Sequence, residues 1–249
     1  MDETGLHLII PMAGRGSRFS GPEFDVPKPL IQLYGKPFFY WATCSVIKYI
    51  DHVSLDYVVL KEHVDDYEID MRIREFFPEA RIHTLPKVTE GAVVTCMEGV
   101  KEICDDLPVV FNDCDHLFKS SAFNQFCKNG FDDNIDGALL TFPSEKSCYS
   151  FVKKDDAGNV ICTVEKEAVS KEAVCGCYYF RNKTLFQNTA EEYLQHCNYK
   201  EFYMSGLYNV LIARGKRVIS MPVDIHVPFG VPEEYREAAK EDHKIELLL

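Results

Sequence analysis

Short apolar runs alternate with helix-length segments through the first half of the chain, and this alternation restricts the fold more than any other feature. Residues 6–12 (LHLIIPM), 57–60 (YVVL), 82–85 and 108–112 (PVVFN) read as buried strands, and 38–50, 64–77 and 91–103 as helices between them. Strands and helices in that order imply parallel βαβ units. In such sheets ligands gather beyond the carboxyl ends of the strands. Two polar clusters fall at that edge: the glycine-rich turn 13–19 and the sequence Asp113-Cys114-Asp115.

The second half changes character. Strand-like runs at 137–142, 151–154, 160–164, 174–180 and 217–223 are joined by turns, of which Asp155-Asp156-Ala157-Gly158-Asn159 suits a hairpin. Helical patterns cover 185–197 and 202–213, and 233–249 reads as a helix with a frayed, charged end. With no repeat, low-complexity tract or linker, the 249 residues are expected to form one α/β domain.

The formal net charge of −12 argues against a nucleic-acid partner, which calls for a basic face. A few cations and a metal can still hold one triphosphate on an acidic protein. No apolar run reaches the roughly 18 residues of a membrane span, and the acidic N-terminus does not read as a signal peptide. The ten cysteines contain no CxxC pair and sit mostly in apolar patterns. They are expected to be reduced structural thiols, which points to the cytoplasm.

A strand, then Gly14-x-Gly16, then a helix can cradle phosphate. Glycine admits oxygens that a Cβ would exclude, and successive N–H groups point at the anion. The pair is not a full dinucleotide fingerprint, because Phe19 stands where the third glycine would be, and a tight surface turn is the alternative. Arg15 and Arg18 lie in the turn, and Lys28 sits between Pro27 and Pro29, an odd setting for a merely solvated charge. Asp113 and Asp115 repeat at the two-residue period of a strand and so share a side. Two carboxylates there suit a hard cation such as Mg²⁺, or else cap the following turn.

IIPMAGRGSRF followed by VPKPLIQLYGKP resembles the opening signature of the sugar-phosphate nucleotidyltransferases, phosphocholine cytidylyltransferase relatives included. The resemblance runs over residues 7–235 and implies a Rossmann-like, mostly parallel mixed sheet flanked by helices. Residues 1–120 would bind the nucleotide and 121–249 the acceptor. It implies Met12, Ala13, Gly14, Gly16 and Ser17 at the nucleotide, with Arg18, Lys28 and Asp115 catalytic. Glu90, Gly91 and Ala92 would read the base, and Glu165, Lys166 and Gly176 the acceptor. Asp115 would bind Mg²⁺ with Asp113 in support. The family's later Asp-x-Gly-Thr-Pro departs here, since Pro228 takes the Asp place, so Asp224 stands in as a candidate ligand. His116 adjoins the metal segment and reads as a bystander.

The implied reaction joins an NTP (CTP, UTP or dTTP) to a small phosphorylated acceptor, a sugar 1-phosphate first, and serves sugar-nucleotide and cell-surface polysaccharide biosynthesis. A CTP-dependent enzyme acting on phosphocholine or a similar phospho- or phosphono-compound is the alternative. Asp113-Cys114-Asp115 also matches the Asp-x-Asp of a nucleotide-sugar glycosyltransferase, which would not need the Arg18 and Lys28 blocks. Monomer and homodimer both stay open.

Overall fold

In β1 (Gly5–Pro11), Leu6, Leu8, Ile9 and Ile10 are all buried, as a central strand covered on both faces must be. Leu6, Leu8 and Ile10 enter one apolar cluster and Ile9 another, so successive residues serve opposite faces of the sheet. The computed structural model describes residues 5–48, 50 and 52–240.

After β1 come a 3₁₀ turn at Lys28–Leu30, β2 (Gln32–Leu33), β3 (Lys36–Pro37), α1 (Phe38–Ile47) and β4 (His52–Leu60). Then follow α2 (Lys61–Tyr67), α3 (Ile69–Phe76), β5 (Arg81–Leu85), α4 (Ala92–Gly99), β6 (Val109–Asn112), β7 (His116–Lys119) and α5 (Ser121–Lys128). The second half adds β8 (Gly137–Pro143), β9 (Ser150–Lys154), β10 (Val160–Glu165), β11 (Glu172–Phe180), α6 (Lys183–His196) and α7 (Gly206–Ala213). The described chain closes with β12 (Val218–Pro222), β13 (Ile225–Pro228) and α8 (Pro232–Ala238).

Among the described residues one nine-stranded sheet runs through both halves. β5, β4, β1 and β6 pair parallel in that order, and β8 pairs parallel with β12. β11 is antiparallel and joins the halves: Cys177–Phe180 pair with β6, Ala173 pairs with β9, and β8 lies alongside. The β9–β10 hairpin thereby stands at the end of β6, next to the aspartates. A separate ribbon pairs β7 with β13, placing Pro228 opposite His116 and Ile225 opposite Lys119.

Several boundaries differ from the sequence reading. The helix expected at 64–77 breaks at Glu68, whose φ of 53° starts a new axis that buries Ile69 and Ile73. The helix from 91 ends at Gly99, which packs so tightly on Ile9 and Val58 that a Cβ would lie 2.6 Å from Ile9 Cγ2. The helix expected from 202 begins at Gly206, because the backbone at Phe202 bonds instead with Glu90 and Val93. Of the tail helix, 232–238 is seen, and residues 241–249 lie outside the described residues. The two-residue strands, the β7–β13 ribbon and α5 carry too few residues of pattern to read in advance. All ten cysteines are free thiols, and among the described residues no helix is long and apolar enough to cross a membrane.

Candidate active site

The turn after β1 is held at both ends. Met12 N donates to Val58 O at 2.8 Å, and Phe19 N donates to Gly16 O at 2.8 Å. Phe19, where a third glycine was absent, is buried against Phe24 and Phe38 at ring distances of 4.9 and 5.8 Å. It anchors the loop in an aromatic cluster with Trp41 and Phe229. Gly16 has φ 59°, and a Cβ there would lie 2.9 Å from Lys28 Cβ. The loop and the Lys28 segment therefore pack directly together, which a side chain at 16 would prevent.

Lys28 Nζ forms an ion pair with Asp115 Oδ2. Burial, the largest single influence, works to push the Lys28 ammonium down, but the Asp115 carboxylate, Cys114 and Asp113 together outweigh it and raise it. Asp115 is likewise desolvated, yet Lys28 holds its carboxyl below the usual range. Asp113 differs. Burial and then the like charge of Asp115 push its carboxyl up to about 8. Asp113 N donates to Gly176 O at 2.9 Å, and Gly176, at φ 97°, leaves its carboxylate so little room that a Cβ would lie 2.7 Å from Oδ2. Asp115 is packed in the same way against Gly230.

Three adjoining cavities meet here, and Asp113 lines all of them. The first, of about 650 Å³, is walled by Ala13, Gly14, Gly16, Ser17, Glu90 and Gly91, and also by Glu201. A small second one, about 240 Å³, brings Met12 and Lys28 to the two aspartates. The third, about 320 Å³, lies on the side of the β9–β10 hairpin and contains Arg18, Ala92, Asp115, Glu165 and Gly176 in its walls. Glu165 Oε2 accepts from the Ser150 and Ser205 hydroxyls, the latter at 2.8 Å. Lys166, with φ 57°, turns its Nζ to the Tyr203 hydroxyl at 2.6 Å, and this hydrogen bond raises its pKa. Tyr203 lines the third cavity, whereas Tyr208 is fully buried and donates to Ala138 O and Tyr179 O.

Lys166 is exposed and lines none of the three cavities, reaching the third only through Tyr203, and Asp224 is a sequence candidate that the fold does not bring in. It is exposed, and its Oδ2 accepts from Ser121 N at 2.6 Å at the start of α5. It precedes the Ile225 end of β13, while the Pro228 end faces the aspartates. Four strand residues separate the two ends, roughly 13 Å of chain. Conversely, Tyr149, His226 and Glu234 line the third cavity and were not singled out from the sequence as site residues. His116 also lines it, beside His226 at a ring distance of 5.5 Å. The β7–β13 pairing brings these histidines together, and nothing local in either sequence announces it.

The family model described as Nucleotidyl transferase matches residues 8–244. The chain belongs to that family. This nucleotidyltransferase is 25% identical over 246 residues to the D-glycero-alpha-D-manno-heptose 1-phosphate guanylyltransferase of Campylobacter jejuni, covering 92% of this chain and 97% of that one. Its fold is similar to that of a nucleoside-diphosphate-sugar pyrophosphorylase from Vibrio cholerae, with TM-score 0.80, 24% identity and coverage of 94% and 100%. The inositol-1-phosphate CTP transferase of T. maritima follows with TM-score 0.71, 14% identity and coverage of 95% and 96%. With the family established, the Asp-x-Asp of the sequence belongs to a nucleotidyltransferase and not to a glycosyltransferase.

Proposed function

We propose that this enzyme transfers a nucleoside monophosphate from an NTP to a sugar 1-phosphate in the cytoplasm, with release of pyrophosphate. One observation carries this reading: Asp113 lines the glycine-loop cavity, the hairpin-side cavity and the small cavity between them that holds Lys28 and Asp115. A triphosphate on the loop and an acceptor phosphate from the other side would meet at that junction. The heptose 1-phosphate guanylyltransferase relative supports a sugar phosphate as acceptor.

Glycine-loop N–H groups bind the triphosphate, and Glu90 and Gly91 face the base. Lys166 and Arg18 steer the acceptor phosphate. One acceptor phosphate oxygen attacks the α-phosphorus in line, forming one P–O bond as the bond to pyrophosphate breaks. The nucleophile is already anionic, so no side chain need remove a proton. What the protein supplies is alignment and charge neutralisation by Arg18 and Lys28.

The residues fit a Mg²⁺ ion. Among the described residues no group of three His, Cys, Asp or Glu is arranged to hold a metal. Mg²⁺, however, is commonly held by one or two carboxylates together with substrate phosphates and water. Asp113, pushed up to about 8 beside Asp115, is an under-compensated carboxylate of the kind a dication balances. Asp113 and Asp115 would hold the ion, which when bound offsets charge on the phosphates.

The test is pyrophosphate release from a panel of NTPs with hexose and heptose 1-phosphates, with Mg²⁺ and with EDTA. Turnover with one NTP and a sugar 1-phosphate, abolished by EDTA and restored by Mg²⁺, is expected. No pyrophosphate with any pair would refute the assignment.

A further inference from the structure

Glu165 and Glu234 both line the hairpin-side cavity, and among the described residues neither forms an ion pair. Each is held by neutral donors. Glu165 takes two serine hydroxyls. Glu234 Oε1 accepts from Tyr149 Oη at 2.6 Å, and its Oε2 from Gly230 N at 3.2 Å. Gly230 in turn packs on Asp115, so Glu234 is fastened to the backbone that shapes the aspartate site.

The wall around Glu234 is rigid and built from separate elements. Tyr149 packs edge-on to Phe142 at 5.0 Å, and Phe142 lies 4.1 Å from the His226 ring. His226 then meets His116. Neither ring nitrogen of His226, nor Nδ1 of His116, has a hydrogen-bond partner among the described residues. His116 Nε2 pairs with Asn112 Oδ1 at 2.9 Å while Asn112 Nδ2 donates to Ala42 O. Nε2 is therefore the donor, and Nδ1 of a neutral His116 keeps a lone pair.

A carboxylate only accepts hydrogen bonds, so a fixed, unpaired carboxylate in a pocket selects a ligand that donates. We propose that Glu234, positioned by Tyr149 and Gly230, is a specificity-determining residue that accepts a hydrogen bond from an O–H or N–H group of the acceptor. A quaternary ammonium meets a carboxylate by charge alone and donates no hydrogen bond to it, so a donor-bearing acceptor is favoured over a phosphocholine-type one at this position. This assignment rests on the hairpin-side cavity being the acceptor pocket, as proposed above.

The test measures acceptor binding by calorimetry alongside pyrophosphate release, for the wild type, Glu234→Gln and Tyr149→Phe. The probes are glucose 1-phosphate, mannose 1-phosphate, phosphoethanolamine and phosphocholine. At least one donor-bearing probe is expected to bind at least tenfold more tightly than phosphocholine. Glu234→Gln should weaken that probe about 10- to 100-fold, the usual worth of a hydrogen bond to a charged group. Tyr149→Phe should weaken it less, and NTP binding should stay within about twofold, which also reports that both variants fold. Donor-bearing probes distinguish the two sources, hydroxyl or primary ammonium. Preference for phosphocholine, no binding by any donor-bearing probe, or unchanged binding in Glu234→Gln would each overturn the assignment. Binding that depends on Glu234 but yields no pyrophosphate would instead sink the transfer reaction and leave this inference standing.

Discussion

Replacing Gly176 by alanine tests the geometry of the aspartate site with a single methyl group. The new Cβ would lie 2.7 Å from Asp113 Oδ2. An ordinary carbon–oxygen approach is about 3.3 Å or more. Either the carboxylate or the β11 backbone must therefore move by at least about 0.6 Å. The backbone is held on the β6 side, since Gly176 O accepts from Asp113 N and Cys177 pairs with Asn112, while the β8 ladder shifts register between Val174 and Tyr178. Its φ of 97° also costs a non-glycine residue roughly 1–3 kcal/mol. For a chain of this length that lowers Tm by about 2–12 °C. Misplacing a reacting group by about 1 Å can cost some 10²-fold, so a shift of about 0.6 Å should lower kcat roughly 10- to 100-fold. Pyrophosphate release at saturating NTP and acceptor gives kcat, and calorimetry gives Tm. A folded Gly176→Ala enzyme with kcat within twofold of wild type would show that Asp113 need not sit where the structure has it.

Lys28→Ala should lower kcat about 10²-fold or more, as losing one preorganised electrostatic contact does, and unchanged turnover would remove Lys28 from the mechanism. Asp224→Asn should leave kcat within about threefold and cost about 1 kcal/mol of stability or less, because its carboxylate serves Ser121 N at a helix start; a large loss of kcat with an intact Tm would return it to the metal site. Arg81→Leu should destabilise by about 3 kcal/mol, since it strips the two-point pairing from the fully buried Asp56, and a melting point within 2 °C of wild type, a margin of about 1 kcal/mol or less at this chain length, would refute that. Burial works to raise the Asp56 carboxyl, but its bonds from His83 and Arg81 hold it below the ordinary range. The wild-type contribution is therefore complete above the unfolded pKa near 4 and lost as pH falls through the lower native one. In Arg81→Leu the acid-side loss of Tm in calorimetry should shrink accordingly.

Residues carrying local chemistry could be read without the fold. The glycine loop, Lys28 between two prolines, and the aspartates two residues apart each need a chain geometry that their own neighbours specify. The buried strands were equally legible, because a strand covered on both faces is apolar throughout. What escaped was whatever depends on partners far along the chain. Asp224 looked suitable by spacing, but the β7–β13 ladder directs it to Ser121 instead. Glu234 carries no signal of its own among the charged residues of α8, and reaches the site only because Gly230 and Tyr149 capture it. The nearness of His116 to His226, 110 positions later in the chain, is likewise a product of the β7–β13 ladder that no local pattern announces.

The β9–β10 hairpin meets β11 in register at one pair, Ala173 with Phe151, while the glycine loop follows β1 on the other side of β6. Beyond that pair the hairpin is fastened through β10 to α7 and the residue before it, where Thr163 bonds Asn209 and Ser205. A change in the wall of the hairpin-side cavity therefore has to carry strand pair and helix together, because exchanging the hairpin alone would leave Asn209 and the Ser205 carbonyl without the partners they hold now.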